Sequence, residues 1–318
     1  MTNAAFEHIY RDVSQAEKDR LLAFRTLHPL KKLTIGKNEW DYLVGGQGEE
    51  TLVLLTGGLN SSEVWFQIMT EFEKTHRVLS IRYPNVVAVA ELVEGIVAIL
   101  DAEHIQRAHL LGESLGGMVA QCLVRRYPER VDTLILASTA VPEQRLVRRM
   151  KRQEKLVSLF PLGLLLNMSK RRVLHLLSGL SREERSFWKA LLTEKISSYV
   201  TKAWLISQYK LLADYCANYH FTPADLERWP GAILILQADD DELIHRLARE
   251  PLTAFYPQAQ VHTFHNANHI PPITKQDEYI NVIKQFLHEG NASRNPSYHG
   301  RGTPCGCPAG LRERQHVS

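Results

Sequence analysis

The chemistry of this chain centres on Gly112-Glu113-Ser114-Leu115-Gly116, a serine between two glycines with Gly117 following. The five residues come directly after an apolar run, Ala108–Leu111, and just before a helical stretch, Met118–Arg126. A serine on so sharp a strand-to-helix turn takes a strained backbone conformation, and a side chain at either flanking position would clash. Glycine at 112 and 116 meets that demand. The turn lifts the Ser114 hydroxyl off the end of the sheet and aims the Leu115 amide at the place where an oxyanion would form. The plainer role for such a serine is that of an ordinary helix N-cap.

A serine alcohol becomes a nucleophile when a base takes its proton and a third group orients the base. Of fourteen histidines, position favours His269, in the turn-rich Asn266-Ala267-Asn268-His269-Ile270-Pro271 between the last strand and the last helix. In a parallel sheet that loop emerges at the carboxyl edge, which also carries Ser114. His265, which ends the strand, is the competitor, and capping of the final helix is the structural alternative. The acid is expected from Asp239-Asp240-Asp241-Glu242, directly after the apolar run Ala232–Gln237. Spacing alone does not choose among the four. Crowding should raise the pKa of each, and the one facing an imidazolium would keep its charge most easily. Their spacing is not that of a calcium loop. Gly57-Gly58, after Thr51–Thr56, leaves backbone amides uncovered near Ser114, where a second oxyanion donor is needed.

The elements that must position these residues alternate. Thr51–Thr56, Arg77–Arg82, Ala108–Leu111, Val131–Ala137, Ala232–Gln237 and Gln260–His265 read as strands, the first five largely continuous apolar runs as expected of strands buried on both faces. Helical stretches at Glu63–Phe72, Val89–Leu100, Met118–Arg126, Arg246–Tyr256 and Asp277–His288 separate or follow them. This predicts an α/β architecture with a parallel sheet covered by helices. The rhythm breaks from Val141 to Trp229, which has helical segments and no strand signal. Residues 1–28, with a helix over Asp12–Leu27, read as an N-terminal extension, 29–289 as the main domain with the insertion at about 141–229, and the Gly/Pro/Arg-rich 290–318 as a disordered tail.

These residues together resemble the α/β-hydrolase fold superfamily over about Leu30–Glu289. The order Ser114…Asp241…His269 is the order that superfamily uses. Its catalytic acid stands three residues after a small residue and just before an apolar pair, which here selects Asp241 between Ala238 and Leu243-Ile244. Members commonly carry His-Gly-x after the first buried strand; this chain has Thr56-Gly57-Gly58, so the resemblance makes Gly58 the oxyanion donor beside Leu115 and leaves the histidine replaced. Asn268 stands where a glycine usually precedes the histidine, a mild departure because Asn tolerates left-handed conformations. The insertion corresponds to the variable helical cap. Pro29-Leu30-Lys31-Lys32, Arg82-Tyr83-Pro84 and Ser114-Leu115-Gly116-Gly117 are more specifically similar to maspardin-like members.

The resemblance implies a serine hydrolase acting on a carboxylester, thioester or lactone of a small, largely apolar substrate, with no metal or organic cofactor. The alternative is a non-catalytic binding or adaptor protein on the same scaffold, since maspardin-like members include proteins that have lost parts of the triad. Phe160, Phe187, Trp188, Trp204 and Tyr209 are candidate pocket walls in the cap.

Composition bounds the rest. The 318 residues carry 38 Lys+Arg against 35 Asp+Glu, and 44% are hydrophobic. A net charge of +3 makes no basic field for nucleic acid, and the apolar content excludes bulk disorder. Cys122, Cys216, Cys305 and Cys307 form no Cys-x-x-Cys pair, Cys305-Gly-Cys307 lacks ligand partners, and the first 24 residues lack an apolar leader core; the expectation is a cytoplasmic protein. Arg145, Arg148, Arg149, Lys151, Arg152 and Lys155 precede the Leu-rich Leu156–Leu166. Such a stretch is ordinarily a solvated cap face, the alternative being contact with an anionic membrane surface.

Overall fold

Eight strands form one sheet in the computed structural model, which describes residues 3–248 and 250–294. They are β1 (Lys31–Ile35), β2 (Asn38–Gly45), β3 (Thr51–Leu55), β4 (Arg77–Arg82), β5 (Ala108–Glu113), β6 (Val131–Ala137), β7 (Ala232–Ala238) and β8 (Gln260–Phe264). The order is β1-β2-β4-β3-β5-β6-β7-β8. The pairs β1–β2 and β2–β4 are antiparallel and all the others parallel.

The apolar runs are continuous because the sheet has a hydrophobic core on each face and successive side chains point to opposite faces. Val53 and Leu55 of β3 enter one core with Leu92, Ile96 and Val119 from the helices Val89–Ala102 and Leu115–Arg126. Leu52 and Leu54 enter the other with Leu21, Phe72 and Ile283, which come from the helices Gln15–Leu27, Phe66–Phe72 and Gln276–Arg294. Strands β6 and β7 divide in the same way, Leu134 and Ile233 to the first core, Ile135 and Leu234 to the second.

β1 and β2 are absent from the sequence reading. They form an edge hairpin whose two-residue turn, Gly36-Lys37, has Gly36 at φ +60°. The signal was there in a glycine at a left-handed turn position. It was masked because β1 is largely exposed and β2 carries charges among its apolar residues. The N-terminal region holds two helices, Asn3–Ile9 and Gln15–Leu27, the second beginning at the N-cap Ser14 and not at Asp12. The helix expected over Arg246–Tyr256 is broken into Glu242–Leu247 and Leu252–Phe255, with Pro251 at the second start, where its missing N–H costs nothing. The last helix runs on to Arg294, so residues 290–294 are helix and not tail. The rest of the expected tail, from 295, with Cys305 and Cys307, lies outside the described residues.

Between β6 and β7 the chain is helical, with the helices Val147–Leu159, Leu162–Leu176, Arg182–Tyr199 and Lys202–Asn218 and no strand. The third opens on a reciprocal capping box, Ser181 with Glu184. Arg148, Lys151, Arg152 and Lys155 are exposed, as are Leu159, Phe160 and Met168 on the same stretch of chain, while Arg149, also exposed, borders a cavity under the inserted helices. No helix among the described residues is long and apolar enough to cross a membrane.

Candidate active site

Ser114 follows β5 and caps the helix Leu115–Arg126 with φ 52° and ψ −114°, a strained conformation for a residue with a Cβ. Its neighbours show why glycine flanks it. A Cβ on Gly116 would lie 2.1 Å from the Leu55 carbonyl oxygen, and one on Gly112 would lie 2.5 Å from that of Gly116. Hydrogen bonds hold the turn: the Ser114 amide donates to Ala137 O at 2.9 Å, and the Ser114 carbonyl accepts from Thr139 Oγ1 at 2.7 Å.

The side chains of Ser114, His269 and Asp241 come together from three strand ends. Ser114 Oγ lies 3.1 Å from His269 Nε2, and His269 Nδ1 lies 2.8 Å from Asp241 Oδ2. Asp241 is buried, and its Oδ1 accepts the amides of Leu243 and Ile244, each at 3.1 Å, as N-cap of the helix Glu242–Leu247. An ionised carboxylate can only accept, so Nδ1 carries the imidazole proton and Nε2 is left to accept from the serine hydroxyl. The other three acids lie elsewhere. Asp240 and Glu242 are exposed, and Asp239 accepts from His265 Nδ1 at 3.1 Å. His265 itself is 77% exposed and is taken up by that pairing with Asp239. The expected upward shift from crowding fails for Asp239: burial pushes its carboxyl up, but the amides of Asn266 and Ala267 outweigh that and hold it below the ordinary value.

Leu115 and Gly58, the expected oxyanion donors, line one cavity with Ser114 and His269. Sequence reasoning missed what holds Gly58. Its carbonyl accepts from Gln208 Nε2 at 2.6 Å and from Trp204 Nε1 at 3.0 Å, both on the inserted helix Lys202–Asn218. Trp204 is therefore a buried anchor of this loop and not a pocket wall. Phe187 and Trp188 pack into the core against Phe66, and Phe160 is exposed; of the five aromatic candidates only Tyr209 lines the cavity.

The family described as alpha/beta hydrolase fold matches residues 50–276, a span containing all three side chains. The chain belongs to the α/β-hydrolase fold family. Among its relatives is a 2-hydroxymuconate semialdehyde hydrolase of Pseudomonas putida, 26% identical over 208 residues, which cover 64% of this chain and 70% of that protein. Maspardin of Danio rerio is 28% identical over 124 residues, covering 36% of this chain and 40% of that protein. In fold, the chain is similar to a solved hydrolase from Pseudomonas aeruginosa, with a TM-score of 0.68 at 20% identity, over 81% of this chain and 98% of that one.

In this α/β hydrolase the cavity beside Ser114 has a volume of about 520 Å³. The inserted helices supply much of its wall, including Met150, Val173, Leu192, Ile196 and Leu205. Glu113 also lines it, half-buried beside the serine. Burial pushes the Glu113 carboxyl up to about 7, with the His269 charge opposing and the Asp241 carboxylate adding to the shift. Between the ordinary value of 4.5 and about 7 the unfolded chain has released this proton while the folded chain keeps it. Stability is therefore lost as pH rises through that window and levels off above it. Glu113→Gln removes the linkage. In urea unfolding, the wild type is expected to lose about 2 kcal/mol more than the variant between pH 5 and pH 8, partial exposure keeping this below the value for a sealed carboxyl. Parallel pH profiles would show that Glu113 is ionised throughout.

Proposed function

We propose that the protein is a serine hydrolase that cleaves an ester-type bond of a small, largely apolar substrate through an acyl-enzyme. Ser114 Oγ attacks the acyl carbon as its proton passes to His269 Nε2. Asp241 holds the imidazole orientation and stabilises the imidazolium. The amides of Leu115 and Gly58 receive the oxyanion, the imidazolium protonates the leaving alkoxide or thiolate, and a water activated by His269 releases the acid. The observation that carries this reading is the continuous relay from Ser114 Oγ through His269 to Asp241, at 3.1 and 2.8 Å.

The binding-protein reading draws on the maspardin match and on Thr56 in place of a histidine. It has less support, because the protein keeps a serine, an imidazole and a buried carboxylate in hydrogen-bonding reach. Thr56 is buried and donates to Ile81 O at 3.2 Å, a structural use of the position. The substrate class draws support from walls that are largely apolar, with Arg149, Arg172 and Arg246 also lining the cavity. A panel of aryl esters and thioesters of increasing acyl length tests it. kcat/KM is expected to rise by about fourfold per added methylene until the cavity is filled, then to fall. A response indifferent to acyl length would remove the apolar acyl site from the proposal.

A further inference from the structure

Three side chains outside the candidate site converge at the opposite edge of the sheet. Strands β4, β3 and β5 are adjacent and parallel, so their amino ends share an edge. Glu50 immediately precedes β3, His76 immediately precedes β4, and His109 is the second residue of β5. Nε2 of each imidazole lies 3.8 Å from Glu50 Oε2, and one ligand atom from each residue falls within 4.8 Å of the other two. A separation of 3.8 Å is long for a hydrogen bond. It is close to the spacing of two ligands on one cation, since donors about 2.0–2.1 Å from zinc at a tetrahedral angle are about 3.4 Å apart.

The second ring nitrogens are fixed as metal-binding histidines require. His76 Nδ1 pairs with Thr75 Oγ1 at 2.8 Å, and His109 Nδ1 with Thr133 Oγ1 at 2.9 Å. A threonine hydroxyl that accepts from Nδ1–H leaves the Nε2 lone pair directed at Glu50, the outer-shell arrangement that orients ligating imidazoles. The His109 side chain is 2% exposed and that of His76 13%, so both rings are held by packing, while Glu50 closes the group from the solvent side.

We propose that Glu50, His76 and His109 bind a divalent transition-metal cation of the zinc type, through the Glu50 carboxylate and Nε2 of both imidazoles. Two imidazoles and one carboxylate suit zinc, with water completing the shell. The cation is structural: it ties together the amino ends of three central strands whose carboxyl ends carry the candidate site. His109 precedes Ser114 by five residues of extended chain, about 16 Å, so the ion takes no part in the chemistry there.

The test is calorimetric titration of metal-stripped, full-length protein with Zn2+, read as the difference between wild type and variants because the chain has further histidines and cysteines. One equivalent is expected to be taken up by the wild type and by Ser114→Ala, and to disappear in His76→Asn and Glu50→Gln. Thr133→Val should weaken it about 10–100-fold. Glu50 is 42% exposed, so Glu50→Gln leaves the packing intact, and circular dichroism checks that the variant is folded. Co2+ should give a visible absorption band that the same two ligand variants abolish. No uptake by the wild type, or uptake and absorption unchanged in both ligand variants, would overturn the site.

Discussion

Replacing Ser114 by alanine is expected to lower kcat on a short-chain aryl ester by on the order of a millionfold. The size follows from the arrangement. His269 and Asp241 act only through the serine oxygen, so without it the base has no nucleophile to activate, and only binding and the oxyanion donors are left. The strained turn does not depend on the hydroxyl, because its hydrogen bonds run through the Ser114 backbone to Ala137 and Thr139. Ser114→Ala should therefore unfold at nearly the wild-type temperature. A variant that keeps more than a hundredth of the activity would place the nucleophile elsewhere.

Asp241→Asn should reduce kcat by about ten-thousandfold, whereas Asp240→Asn should leave it close to wild type. The difference is a matter of protons. Asp241 Oδ1 accepts two helix amides, from Leu243 and Ile244. An asparagine there must turn its carbonyl oxygen to those donors, so its NH2 points at His269 Nδ1. That forces the proton onto Nε2, which can then no longer accept from Ser114. Asp240 is exposed and touches none of these atoms. A large loss at 240 with little change at 241 would reassign the acid.

What the sequence made legible was local. The glycines at 112 and 116 mark the turn around Ser114 because steric contact with Leu55 and Gly116 permits nothing larger. His269 followed from the rule that loops after parallel strands share one edge. Asp241 was different: four adjacent carboxylates are equivalent on paper, and only the resemblance picked one. In the structure, burial and the two helix amides distinguish it. Contacts between distant segments had no sequence signal. Gln208 and Trp204 hold Gly58 across about 150 residues of chain, a function that helical periodicity does not encode. Aromatic residues of the insertion looked like pocket walls because the same side chains serve in a core, and most of them are core. Glu50, His76 and His109 meet only because β3 is inserted between β4 and β5, an order invisible along the chain.

The most direct test of the central claim is labelling with a fluorophosphonate probe, which bonds covalently to a serine oxygen only when a neighbouring base activates it. Folded wild-type protein is expected to take up one probe, mapped by peptide mass spectrometry to the peptide containing Ser114, with labelling lost in Ser114→Ala and strongly slowed in His269→Ala. Wild-type protein that stays unlabelled, or is labelled at another residue, would contradict the account.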